Sequence, residues 1–229
     1  YPKMYLIFHS MIQVWKAERS DIGNVWNKLR VTVWLVEITK DKIDQQIRNM
    51  FKLAIIVGTD RPNSKSQEMA EYVKEQYSKR GVDAHIFSMA DFPLGSVVGG
   101  PYGKEIPEIE AFRAPILACD ALLFVIPEYN GSFPGVLKVF IDYLPFPDAF
   151  KAMPIAYIGI SAGAFGSLRA VEQLQMVANY RNALSYPERV FVSRFNSNFS
   201  PDTGLTEPLQ QELFLSQTNG FIDFVKRMQ

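Results

Sequence analysis

From Gly58 to Ser66 the chain reads Gly-Thr-Asp-Arg-Pro-Asn-Ser-Lys-Ser and then passes directly into a stretch of helical spacing. A helix start presents unpaired N–H groups and the positive end of the helix dipole, so it favours an anion. Thr59, Ser64 and Ser66 add hydroxyl donors and Arg61 adds a charged fork, a set that suits a terminal phosphate dianion. A dinucleotide site would need Gly-x-Gly-x-x-Gly and an NTPase a longer loop ending in Gly-Lys-Ser/Thr; neither is present. A plainer reading stays open at this point, with Ser66 a helix N-cap and Arg61 a solvated surface residue.

A second loop reads Pro127-Glu128-Tyr129-Asn130-Gly131-Ser132-Phe133-Pro134-Gly135. Its two prolines stiffen the entry and the following helix start, and its glycines let backbone pass close to a neighbour. Such a loop can hold a flat ring by backbone hydrogen bonds at its edge, with Tyr129 offering stacking and Asn130 both a donor and an acceptor. Glu128 reads as a residue that positions the loop rather than as an acid. A third loop, Ser161-Ala162-Gly163-Ala164-Phe165-Gly166, also matches the Gly-x-Ser-x-Gly elbow of α/β-hydrolases through Gly159 to Gly163. That chemistry requires a histidine after the serine, and His9 and His85 both precede Ser161. Histidine is scarce and metal-ligand clusters are missing from the sequence, so no catalytic side chain and no metal site are assigned.

The elements that must carry these loops follow from hydrophobic periodicity. Lys52–Val57 is a short apolar, β-branched run of the kind buried on both faces of a parallel sheet. Ser66–Lys79 places Met69, Ala70, Val73 and Tyr77 at helical spacing, with Gly81 as a stop signal. The alternation repeats with strands at 83–87, 121–126, 155–160 and 189–192. Helices are expected at 108–118, 134–144 and 166–181, the last with Leu168, Val171, Leu174 and Ala178 on one face. A closing helix over 209–228 turns Leu213, Phe221, Phe224 and Val225 inward. Five strands alternating with helices predict an α/β, three-layer, doubly wound five-stranded parallel sheet. Ligands in such sheets bind beyond the carboxyl ends of the strands, where the three loops lie.

With those loops and the following Leu-Lys-Val-Phe-Ile-Asp-Tyr-Leu, the chain resembles the NADPH-dependent FMN reductase family of flavodoxin-like quinone, azo-dye and chromate reductases. The resemblance runs over roughly Phe51–Gln229, and Pro-Glu-Tyr-Asn is its most specific piece. It implies that Thr59, Arg61, Ser64 and Ser66 hold the FMN phosphate. It further implies that Pro127, Glu128, Tyr129 and Asn130 contact the isoalloxazine ring, and that the loop carrying Ser161 and Gly163 lies beside it. The family often has serine at the place of Thr59 and asparagine at the place of Ser66; both departures keep a polar group. The implied cofactors are FMN and NADPH or NADH, and the implied activity passes hydride to the flavin and on to a quinone, azo compound, free flavin or metal oxyanion. The cofactor then carries the chemistry. A flavodoxin-type electron carrier and a flavin-binding redox sensor without turnover are the alternatives. Carriers are typically strongly acidic, whereas this chain balances 24 lysines and arginines against 24 acids.

The same balance leaves no global field to draw the protein onto nucleic acid or an anionic membrane, and no apolar run approaches the ~20 residues needed to span a bilayer. Cys119 is the only cysteine of 229 residues, so no internal disulfide can form and a reducing, cytoplasmic setting is expected. The helix over 134–144 carries only Lys138 and Asp142 as charges, too apolar a surface for a helix that buries one face. A two-fold partner is the expected cover, giving a homodimer or homotetramer. Residues 1–49 contain all three tryptophans and no regular alternation, and read as an extension dispensable to the domain at 50–229. A competing reading has Val31–Ile38 as an edge strand.

Overall fold

The computed structural model describes residues 29–40 and 51–229, and the chain divides into two units, Tyr1–Asn49 and Met50–Gln229. In the first unit residues 29–40 form helix α1, so the stretch considered as an edge strand is helical. Trp34 on that helix is exposed; Trp15 and Trp26 lie outside the described residues.

The second unit is built on a parallel sheet. β1 (Lys52–Val57) is buried at every position after the first, and β3 (Ala121–Pro127) and β4 (Pro154–Ile160) are covered on both faces. Leu53 stands between Ala84 of β2 (Asp83–Ser88) and Ala121 of β3, and β4 pairs with β3 on the far side. The fifth position is shared by two short pieces, β5 (Leu184–Ser185) beside the start of β4 and β6 (Val190–Val192) beside its end. The order is β2-β1-β3-β4-β5, with β6 also on β4. From β1 the chain turns first to β2 on one side and then to β3 on the other. Their carboxyl ends therefore mark the switch point at which the departing loops diverge.

Alternation along the strands feeds two cores. Leu53, Ile55, Val57, Ala156 and Ile158 meet α2 (Lys65–Ser78) through Met69, Ala70, Val73 and Tyr77. The same layer contains Phe214, Phe221 and Val225 of α7 (Pro208–Met228). The opposite residues Ala54, Ile56, Leu122, Phe124 and Tyr157 meet α3 (Pro107–Leu117), α4 (Gly135–Asp142) and α5 (Leu168–Tyr180). Between β6 and α7 lie a short helix, α6 (Phe195–Asn198), and a hairpin of β7 (Phe199–Ser200) with β8 (Gly204–Leu205).

Two expected faces differ. On α7 it is Phe214, not Leu213, that turns inward, and Leu213 is half exposed; on α5 Leu168 is only partly buried. The larger difference concerns α4. Val136, Leu137, Phe140, Ile141, Tyr143 and Leu144 are all buried within this one chain. Phe140 packs edge-on against Phe92 and Phe112 as well as lying on the sheet side. The chain's own 89–112 segment covers one side of the second apolar surface, while Lys138, Ile141 and Asp142 line an open groove on the other.

Candidate functional site

The loops after β1, β3 and β4 carry the site. The first leaves β1 at Gly58, whose N–H continues the pairing to Val125 O at 2.9 Å. A Cβ there would lie 3.2 Å from both Val125 O and Leu137, so the tight exit favours glycine. Asn63 takes φ +51°, and Ser64 caps α2 by accepting from Gln67 N–H at 3.2 Å. Ser64 is therefore the N-cap. Ser66 sits in the first turn, 1% exposed, with a buried hydroxyl that finds no protein partner.

Thr59 is wholly buried. Its Oγ1 accepts the Arg61 N–H at 3.3 Å and shares a 2.7 Å hydrogen bond with the Tyr129 hydroxyl. The Arg61 guanidinium lies 5.7 Å from the centre of the Tyr129 ring. These contacts bring the first and second loops together across the switch point.

The second loop is a tight hairpin. Tyr129 N–H donates to Ser132 O at 2.8 Å and Ser132 N–H to Tyr129 O at 3.1 Å. Asn130 and Gly131 both take positive φ, +54° and +78°, as a type I′ turn requires. The Asn-Gly pair was a legible signal for that turn which the motif reading passed over. Tyr129 commits its N–H and one lone pair of its C=O to the turn, and its side chain faces the first loop. Glu128 is held by Arg169 of α5, Nη1 to Oε1 at 3.0 Å, and its Oε2 is buried without a partner. Gln173 of the same helix donates to Gly131 O at 3.0 Å and accepts from Ser132 Oγ at 2.6 Å. Neither α5 residue was singled out from the sequence, although two long polar side chains at i and i+4 beside an apolar stripe are the available signal.

The third loop folds onto the chain after β6. Ser161 N–H donates to Val192 O at 3.1 Å, Arg194 N–H to Gly163 O at 2.8 Å, and Ser161 Oγ to Gly163 O at 3.1 Å. Ser161 is thus hydrogen-bonded inside its own loop. The described contacts of Ser161 and Gly163 lead to residues 192–195 rather than to Thr59 or Arg61. The Gly-rich spelling has a packing cause. A Cβ on Gly159 would come within 2.3 Å of Gly166 O, and one on Gly166 within 2.8 Å of Phe191. The glycines let α5 seat closely on β4. Among the described residues no group of three or more histidine, cysteine or acidic side chains could hold a metal ion.

The arrangement offers an anion a helix start, an arginine and an orphaned hydroxyl, and beside it a rigid hairpin with an aromatic ring. Those donors fit a flavin monophosphate: the buried Ser66 hydroxyl lacks an acceptor that a phosphate oxygen supplies.

Residues 51–197 match the protein family described as NADPH-dependent FMN reductase. The FMN-dependent NADPH-azoreductase of Staphylococcus aureus is 27% identical over 173 residues, covering 74% of this chain and 90% of that protein. Among solved structures the flavoenzyme NAD(P)H:(acceptor) oxidoreductase FerB of Paracoccus denitrificans has a TM-score of 0.66 at 22% identity, over 78% of this chain and 99% of FerB. An oxidoreductase of Corynebacterium diphtheriae has a TM-score of 0.60 at 21% identity, over 79% and 99%. At these identities the structural likeness speaks to the flavodoxin-like fold.

Proposed function

Since this chain belongs to the NADPH-dependent FMN reductase family, and is thereby an oxidoreductase that uses FMN and a reduced nicotinamide nucleotide, we propose that its three loops divide the flavin between them. Arg61, the Ser66 hydroxyl and the N–H groups at the start of α2 receive the phosphate, with Thr59 and Ser64 shaping the loop that presents them. Pro127, Glu128, Tyr129 and Asn130 receive the ring, with the loop of Ser161 and Gly163 beside it. The observation that carries this reading is the 2.7 Å bond between Thr59 and Tyr129, which joins the loop before α2 to the Asn-Gly hairpin at the sheet's switch point.

The chemistry FMN supplies when bound is two-electron transfer from the nicotinamide to a small acceptor, a quinone, azo compound, free flavin or metal oxyanion. The chain's own residues bind and orient. Arg61 and the first turn of α2 neutralise the phosphate. The Asn130-Gly131 turn fixes the ring loop, and the Thr59–Tyr129 bond sets the distance between the two. Donor and acceptor then occupy the same space in turn, which predicts ping-pong kinetics. Steady-state oxidation of NADPH with a quinone and with an azo dye tests this; intersecting double-reciprocal lines, or no turnover by FMN-loaded protein, overturn it.

We also propose a homodimer formed over a groove that shares Lys138, Ile141 and Asp142 with the apolar helix singled out from the sequence and extends to α5. Phe146, Met176 and Tyr180 are 65% or more exposed and line one groove of about 950 Å³ running from Ser132 to Arg181. Tyr180→Asp should move the protein from dimer to monomer in sedimentation; a wild-type monomer refutes the proposal. No described helix is long and apolar enough to cross a membrane, and the lone buried Cys119 suits a reducing cytoplasm.

A further inference from the structure

The second loop closes only one pair of hydrogen bonds within itself, between Tyr129 and Ser132. Such a turn fixes its own curvature but not the direction in which its limbs point. Three bonds from α5 supply that direction. Arg169 pairs with Glu128 at 3.0 Å on the incoming limb. One turn further along the helix, the Gln173 amide holds the tip and the outgoing limb together, donating to Gly131 O at 3.0 Å and accepting from Ser132 Oγ at 2.6 Å. Positions 169 and 173 are four apart, so both side chains rise from one face of the helix. The third loop is drawn into the same device, because the Arg169 guanidinium also lies 5.3 Å from the centre of the Phe165 ring.

Core packing does not account for these two residues. Ala170, Val171, Leu174 and Ala178 form the buried stripe of α5, while the Arg169 side chain is 56% exposed and Gln173 is partly buried. The helix that carries them is rigidly seated, by the Gly159 and Gly166 contacts with β4 and β6. Glutamine suits position 173 because the loop presents a carbonyl and a hydroxyl there, and an amide offers a donor and an acceptor side by side on one planar group. Arginine suits position 169 because the partly buried Glu128 carboxylate needs a counter-charge.

We infer that Arg169 and Gln173 are positioning residues for the flavin ring, holding the Pro127–Phe133 loop in its ring-binding shape before the cofactor arrives. The inference rests on the assignment of that loop to the ring. A pre-shaped loop loses less freedom on binding, so the two residues act on affinity and on the ring's surroundings without touching the cofactor.

The test compares FMN with riboflavin, which has the ring and lacks the phosphate. Dissociation constants and visible spectra of the bound flavin are measured for wild type, Arg169→Met, Gln173→Leu, Arg169→Lys, Gly131→Val and Arg61→Ala. Arg169→Met and Gln173→Leu should each weaken FMN and riboflavin by the same factor, about 5- to 20-fold, as expected for losing one or two hydrogen bonds. The visible band of the bound flavin should lose its fine structure, and the melting temperature of the apoprotein should stay within about 3 °C of wild type, since both are partly exposed positions. Arg169→Lys, which keeps the charge, should recover most of the affinity. Arg61→Ala should weaken FMN alone. If Gly131→Val, which forces a β-branched residue to φ near +78°, weakens riboflavin while Arg169→Met and Gln173→Leu leave affinity and spectrum unchanged, the inference is wrong and the ring assignment stands. If Gly131→Val also leaves riboflavin binding unchanged, the loop does not hold the ring and the inference falls with that assignment.

Discussion

At the scale of single residues, the first loop divides its polar groups by task. Ser64 serves the helix, Thr59 serves the neighbouring loop, and Ser66 and Arg61 are left for a ligand. Arg61 is exposed and has one described contact beyond its own loop, the Tyr129 ring, so its removal should act on binding rather than on folding. Arg61→Ala is expected to weaken FMN by about 1.5–3 kcal/mol, the value of a charge-assisted contact. Fluorescence titration with FMN measures it, and an unchanged constant would put the phosphate elsewhere. The residue scale is also where the sequence was most legible. Thr59, Arg61, Ser66 and Tyr129 were all singled out from their types and spacing, and the fold brings Thr59, Arg61 and Tyr129 into mutual contact. Arg169 and Gln173 were not, because their partners are about forty positions away and no local pattern announces them.

At the scale of elements, α4 shows how one apolar surface finds cover within its own chain. Its apolar surface is real, but Phe92 and Phe112, distant in sequence, cover the side that a single-face helix would leave to solvent. The same helix ends on a side chain from another element. Arg181, 6% exposed, donates to Ile141 O at 2.7 Å and to Leu144 O and Pro145 O at 3.1 and 2.6 Å. It lies over the Phe146 and Phe150 rings, and burial holds its pKa below the usual arginine value. Carbonyls at a helix end have no partner within the helix, so this guanidinium is the C-terminal cap of α4. Arg181→Met keeps the apolar stem and removes the donors. It is expected to destabilise the protein by about 2–4 kcal/mol, read as a lowered urea midpoint with unchanged slope. A midpoint equal to wild type would mean that solvent caps the helix equally well.

For the molecule as a whole, two deeply buried tyrosines set a limit on the alkaline side. Burial pushes the Tyr77 hydroxyl well above its ordinary value and that of Tyr157 up to about 12. A folded pKa raised above the unfolded one, near 10, gives stability that is complete below pH ~10 and lost as pH rises toward 12. Each group contributes up to about 1.4 kcal/mol per pH unit in that window. Denaturant melts between pH 9 and 12 should therefore fall steeply, and Tyr157→Phe should make the fall shallower by one such increment; an equal slope would show that Tyr157 does not drive it. The division into two units leads to a further expectation. A chain that starts at Met50 contains every described strand and all three loops, and should match the full chain in FMN content and turnover. Loss of flavin or insolubility would show that residues 1–49 are part of the working domain.

The sequence alone determined the alternation of strands and helices, because a strand buried on both faces must be continuously apolar and an amphipathic helix must repeat every third or fourth residue. It also singled out the loops proposed to carry the chemistry, since hydroxyls and an arginine before a helix start, and prolines and glycines around an aromatic, are local features. Only the tertiary structure decided which of those groups are free and which are already used. Ser64 rather than Ser66 caps α2, Tyr129 gives its backbone to a turn and its hydroxyl to Thr59, and α4 is covered from within. The Ser64 cap and the Tyr129 turn are local, whereas the Thr59–Tyr129 bond and the cover over α4 depend on partners brought close by the fold around β2-β1-β3-β4-β5. Hydrogen bonds and packing act at contact range, and contact between distant positions is what a linear pattern does not contain.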